Sequence, residues 1–347
     1  MNHKQEKRRA AIKKIACVVG GMAIAPTLIS QSLAKPFLAS NSILPFQISL
    51  SQWAFESEIF GKGRDNYKWF KKMLEQDPQA VLQGSMDTTD IVVKAQQLDL
   101  HGVDLVTSMI YGHRNSAKWL RSFKEKGKDH DVSFVCLMAD TATKIGASDL
   151  LARKKAVDDH KHWIEAAVEL GCEHIRVNPF GDGTYLQQMN QCSESLYELS
   201  EFASNVGMQV TVENHGHPSS NGAWLNMLIE LTNHSNLGLF LDFGNFFMGG
   251  FNAKPRRWYD LKQGVIDLTP FTVGISGKAR SFLPNGDIEM IDYDWNMEQI
   301  LASGFNGWVS AEYAGKEYSN TQGAQIIIDK LRKIQDKYKQ SPTNLIT

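Results

Sequence analysis

Eight short apolar runs, each followed by a polar turn and a helical pattern, constrain this chain more than any single motif. The runs are "FQISLSQW" (46–53), "GVDLVTSM" (102–109), "VSFVCLMAD" (132–140) and "EHIRVN" (173–178), then "MQVTVEN" (208–214), "LGLFLDF" (237–243), "FTVGISGK" (271–278) and "GWVSAEY" (307–313). Near-continuous apolar character suits strands buried on both faces, as in parallel sheets. Between them, "DIVVKAQQLDL" (90–100) places Ile91, Val92, Ala95 and Leu98 on one stripe. "LLARKKAVDDHKHWIEAAVELG" (150–171) and "SLYELSEFASNVG" (195–207) read as helices closed by Gly171 and Gly207. Eight such units over about 300 residues predict an α/β fold, a (β/α)8 TIM barrel in a single domain. The expected span is residues 35–338, with a flexible tail at 339–347. An open doubly wound sheet is the alternative, but no GxGxxG follows the first run to support its dinucleotide-binding form.

Two connections are longer than the pattern needs. Residues 54–87 carry "NYKWFKKMLEQDP", which reads as an inserted helix, and residues 244–270 are rich in Gly, Asn and aromatics. Long loops leaving strand C-termini build substrate pockets. The basic run "KPRRWYD" (254–260) reads as a loop ion-pair cluster. His160 and His162, beside Asp158 and Asp159, read as a solvated helix face.

The N-terminus differs in kind. "MNHKQEKRRAAIKK" is basic, "IACVVGGMAIAPTLI" is moderately apolar, and "QSLAKP" offers small residues at Ser32 and Ala34. Residues 1–34 therefore read as a signal peptide, and Arg8-Arg9 gives it the form of a twin-arginine signal, implying export to a bacterial periplasm. The formal net charge of −1 gives no global attraction for nucleic acid. No later segment is apolar for long enough to span a bilayer. Cys136, Cys172 and Cys192 lack CxxC spacing and read as buried free thiols.

The chemistry lies at the ends of the runs. In a (β/α)8 barrel, polar residues at strand C-termini face the mouth of the site. Those ends hold Trp53, His113, Asp140, Arg176, Asn178, Glu213, Asn214, His215, Asp242, Asn245, Ser276, Lys278 and Glu312. Glu213, Asp242 and Glu312 each terminate an apolar run. Three carboxylates brought together repel unless a cation or protons intervene. A divalent metal (Mn, Mg or Co) held by those three oxygen donors is the expected resolution.

Together "VTVENHGHPSSN", "LGLFLDFGNF", "VGISGKARSF" and "GWVSAEYAG" resemble the xylose isomerase-like barrel superfamily, and within it the sugar phosphate isomerase/epimerase-like proteins, over residues 45–338. The resemblance implies that Glu213 is a metal ligand or acid/base group, Asp242 a ligand, and Glu312 a ligand and proton carrier. It implies a site-facing role for Lys278. Many relatives place a histidine where this chain has Ser276, and often another where it has Asn245. The expected activity is a secreted, metal-assisted carbohydrate isomerase or epimerase. Glu213, Glu312, His215 and Lys278 are the catalytic candidates; Trp53, His113, Arg176, Asn178, Asn214, Asn245 and Ser276 are the substrate-binding ones. A β-eliminating lyase on 3-keto glycosides and a non-catalytic sugar-binding barrel are the alternatives. The partner is a small carbohydrate, with no nucleic acid and no membrane after signal cleavage, and a homo-oligomer remains open.

Overall fold

The structure, a computed structural model, describes residues 44–339 apart from 141–142, 217 and 250–252. The expected signal peptide at 1–34, the segment 340–347 and His217 lie outside the described residues. Eight parallel strands close into a barrel: β1 Gln47–Ser51, β2 Gly102–Val106, β3 Ser133–Ala139, β4 His174–Val177, β5 Gln209–Glu213, β6 Leu237–Asp242, β7 Thr272–Ala279 and β8 Trp308–Tyr313. Each strand pairs with its neighbours in sequence, and β1 pairs with β8 to complete the ring. The expected TIM barrel is what the chain forms.

A helix follows each strand: α1 Ile91–Gln97, α2 Ala117–Asp129, α3 Leu150–Leu170, α4 Tyr185–Asn205, α5 Gly222–Thr232, α6 Leu261–Leu268, α7 Tyr293–Ala302 and α8 Asn320–Lys339. Their starts are capped locally. Asp149 accepts from Ala152 N at the head of α3, and Thr184 and Gln187 form a reciprocal capping box on α4. Gly171 ends α3 at φ +83°, a conformation that costs glycine little. The inserted helix after β1 lies at Tyr67–Gln76.

Three local expectations need correction. Helix α4 begins at Tyr185, not at 195, because Met189, Cys192, Leu196 and Leu199 form one continuous buried stripe through a polar-looking segment. His160 is buried, not solvated: it lies on the α3 stripe with Ala156, Trp163 and Ile164, while His162 stays exposed. The basic run at 254–260 forms no ion pair among the described residues. Arg257–Trp258 instead pairs with Phe247–Met248 in a small antiparallel ribbon, and Arg256 lies over the Phe247 ring.

Side chains alternate along a strand, so residues two apart share a face. One face of each strand packs on the helices with Ile, Leu and Val; the other builds an unusually polar interior. Ser49, Ser51, Asp104, His174, Arg176, Thr211, Glu213, Asp242, Ser276, Lys278, Ser310 and Glu312 are all buried. The interior is floored by Phe240 and His174, whose rings lie 5.8 Å apart. Gly274 makes room for this floor, since a Cβ there would meet the Phe240 ring at 2.9 Å. Cys136, Cys172 and Cys192 are buried free thiols, as expected.

Candidate active site

Register places the acidic residues beside their partners. Asp242 lies opposite Ser276, and Glu312 opposite Lys278, at the C-terminal ends of β6, β7 and β8. Lys278 Nζ reaches Asp242 Oδ2 at 2.8 Å and Glu312 Oε1 at 2.7 Å. Glu312 Oε2 accepts from Ser51 Oγ at 3.0 Å and Ser276 Oγ at 3.3 Å. Asp242 Oδ1 accepts from Gly244 N at 2.7 Å. Asn245 Nδ2 donates to Asp242 Oδ2 at 2.6 Å and to Glu213 Oε1 at 3.2 Å. Asn214 fixes the frame rather than the charges: its amide donates to Asp242 O and accepts from Asp242 N, both at 2.8 Å.

The β4 side carries the second cation. Arg176 Nε lies 2.9 Å from Glu213 Oε2, out of line for a hydrogen bond. Its terminal nitrogens hold Asp140 in a bidentate pair. Asn178 Nδ2 and Trp53 Nε1 also donate to Asp140, at 2.9 and 2.7 Å. Trp53 is half-buried, with the Arg64 guanidinium 4.6 Å above its ring. His215 stands edge-on to Phe180 and donates its backbone N–H to Ser219.

Burial and charge set the protonation. Burial pushes Glu213 well above the usual carboxylate range, against the pull of Arg176. Burial also raises Asp242, opposed by Lys278. Burial works against the charge on Lys278, but Asp242, Glu312 and Glu213 hold its ammonium above the ordinary lysine value. Burial disfavours charge on Asp140 as well, yet Arg176 keeps the carboxyl below its ordinary value. Burial brings the His215 imidazole down to about 3, so it is neutral at pH 7.

The structure thus gathers Glu213, Asp242, Glu312, Lys278, Arg176, Asn178, Asn214, Asn245 and Ser276 into one network, with Trp53 at its edge. His113 does not join it. Its ring stacks on Trp119 at 4.0 Å and meets Gln79, on a 3₁₀ turn beyond β2. Two further site residues are Asp140, which stands among the strand-end residues without an assigned role, and Ser51, which does not stand among them. Their signal is pairing with Arg176 and Glu312, distant in the chain.

The donor set answers poorly to a divalent metal. Five of the six oxygens of Glu213, Asp242 and Glu312 already face an N–H or O–H group within 3.3 Å, and the sixth, Glu213 Oε2, lies 2.9 Å from the Arg176 guanidinium. Among the described residues, no group of three or more His, Cys, Asp or Glu side chains is arranged to hold a metal. A dication sharing oxygens with Lys278 would meet the ammonium at roughly 4 Å, a repulsion on the order of 8 kcal/mol at an effective dielectric of about 20.

Residues 92–335 match the model of a family described as xylose isomerase-like TIM barrel. An inosose isomerase of Halalkalibacterium halodurans is 25% identical over 189 residues, which cover 50% of this chain and 64% of that protein, less than two thirds of its length. Among solved structures, an apo 3-keto-D-glucoside 4-epimerase from E. coli superposes with TM-score 0.56 at 16% identity, covering 83% of this chain and 99% of that one. A protein from Mycobacterium smegmatis in complex with magnesium superposes with TM-score 0.59 at 15% identity, covering 84% and 97%.

Proposed function

Because the chain belongs to the xylose isomerase-like TIM barrel family, we propose that it is a carbohydrate isomerase or epimerase that moves a proton next to a sugar carbonyl. The observation that carries this reading is the convergence of Glu213, Asp242 and Glu312 from three strand ends, Lys278 bridging Asp242 and Glu312 and Asn245 linking Asp242 to Glu213. A sugar C–H beside a carbonyl is acidified when the carbonyl oxygen is polarised. One of Glu213 and Glu312 then takes the proton, and the same or the other carboxylate returns it. Return to the neighbouring carbon gives isomerisation, and return to the opposite face gives epimerisation. His215, held neutral by burial, is suited to hydrogen-bond a substrate hydroxyl rather than to carry its proton.

The decisive experiment is solvent deuterium incorporation into a panel of ketoses and 3-keto glucosides, followed by NMR. Exchange is expected at one carbon, with Glu213→Gln and Glu312→Gln each slowing it at least about 100-fold. Undiminished exchange in both variants would remove these carboxylates from the mechanism, and no exchange on any sugar would sink the reading. A lyase acting on oxidised glycosides is the second reading. It is favoured by a cavity of about 710 Å³ beside Trp53, lined also by Arg64, Arg280 and Lys316, with room for a group beyond the reacting sugar. Release of a free aglycone would select it. The paired Arg8-Arg9 and the apolar stretch behind it support placing the working enzyme outside the cytoplasm.

A further inference from the structure

We propose that Lys278 is the resident cation of this site, standing in the electrostatic place of a divalent metal, and that its ammonium polarises the substrate oxygen directly. The proposal rests on the isomerase or epimerase reading for the identity of that oxygen, but not for the state of the cluster.

Four observations lead to it. First, the ammonium bridges Asp242 and Glu312 at 2.8 and 2.7 Å, the positions from which two ligands would hold a metal. Second, the groups beside the carboxylates direct hydrogens at the oxygens a metal would share. Asn245 directs Nδ2 at both Asp242 and Glu213, and Ser276 directs its hydroxyl at Glu312. Third, Glu213 is committed elsewhere, with the Arg176 guanidinium 2.9 Å away and buried with it. That cation stays charged at any working pH. Fourth, Lys278 is more accessible than the two carboxylates it bridges, its side chain 10% exposed against 0% for Asp242 and 4% for Glu312.

An ammonium has three N–H donors. Two face Asp242 and Glu312, and the third is available to a substrate. As the carboxylate base takes the C–H proton, the electron pair of that bond becomes the C=C of an enediolate and the carbonyl oxygen becomes an oxyanion. The Lys278 N–H shortens its contact to that oxyanion without giving up the proton. When the carboxyl returns its proton to carbon, the charge leaves the oxygen and the cycle closes. Such a donor is positioned before the charge develops, so little reorganisation accompanies the reaction.

The test needs no known substrate. The full chain is purified without added metal, its metal content is measured by inductively coupled plasma mass spectrometry, and MnCl₂ is titrated calorimetrically and by thermal shift. The expected result is less than about a tenth of an equivalent of metal and no saturable Mn²⁺ binding at concentrations where a metal enzyme would be loaded. The double variant Ser276→His/Lys278→Met, which removes the ammonium and supplies an imidazole, should bind Mn²⁺ at least about tenfold more tightly than the parent. A parent chain holding close to one equivalent of divalent metal, or one stabilised by Mn²⁺ and destabilised by chelation, overturns the proposal whatever the variant does. Sugar exchange reports on the chemistry separately. Exchange that persists in chelator supports Lys278 as the cation, and a metal-free protein without exchange counts only against the proposed reaction.

Discussion

Asp104 provides a quantitative test of the polar barrel interior. It lies on β2, is 1% exposed, and accepts from Ser49 Oγ at 3.3 Å. Among the described residues no ion pair holds it. Burial raises its carboxyl from 3.8 to about 7, with the Ser310 and Ser49 hydroxyls pulling part of the way back. The folded protein therefore keeps a proton that the unfolded chain has already released at pH 5 or 6. The unfolded state binds fewer protons over this window, so stability falls as pH rises from about 4 to about 7. A shift of roughly 3 units corresponds to about 4 kcal/mol, taken at full burial and as an order of magnitude. Asp104→Asn replaces the neutral acid with a neutral amide of similar shape, and it does not titrate. The variant should match the parent near pH 4 and exceed it progressively to pH 8, by up to about 4 kcal/mol or on the order of 8 °C in Tm for a chain of this size. Urea unfolding of both proteins at four pH values measures the difference, and the other titrating groups cancel in the comparison. Parallel pH profiles, or a variant weaker at pH 8 than at pH 4, would refute the argument that Asp104 is buried without a countercharge.

The remaining expectations are more local. Burial pushes His160 down to about 4, so the parent should lose up to roughly 3 kcal/mol as pH falls from about 6.5 to 4, a slope that His160→Gln should flatten in urea unfolding. Asn214→Ala leaves the backbone N–H and C=O of Asp242 without side-chain partners and should cost about 1–3 kcal/mol by the same assay. Trp53→Phe removes one donor to Asp140 while keeping an aromatic face, so it should raise KM for the substrate more than it lowers kcat. Replacing Arg8 and Arg9 by Lys should hold the protein in the cytoplasm of an exporting host, read by cell fractionation; unchanged export would exclude the twin-arginine route.

The barrel was legible because its signal is local: a strand buried on both faces needs a continuous apolar run. The three carboxylates were legible for the same reason, since Glu213, Asp242 and Glu312 each interrupt such a run at its end. What escaped the sequence depends on pairing across the ring. Asp140 looked like any strand-terminal acid until Arg176 and Trp53 met it. His113 looked like its equal, yet the chain turns after β2 and stacks the ring on Trp119. Whether Lys278 would bridge two carboxylates or pair with one turned on the β7–β8 register, which alternation alone does not determine.

The floor beneath the carboxylates has a kinetic consequence. Phe240 and His174, both buried, close the barrel below the reactive layer. A well sealed at its base has one doorway. Substrate and product must use it in turn, so product inhibition should be competitive with substrate, and nothing can be threaded through the molecule from one side to the other.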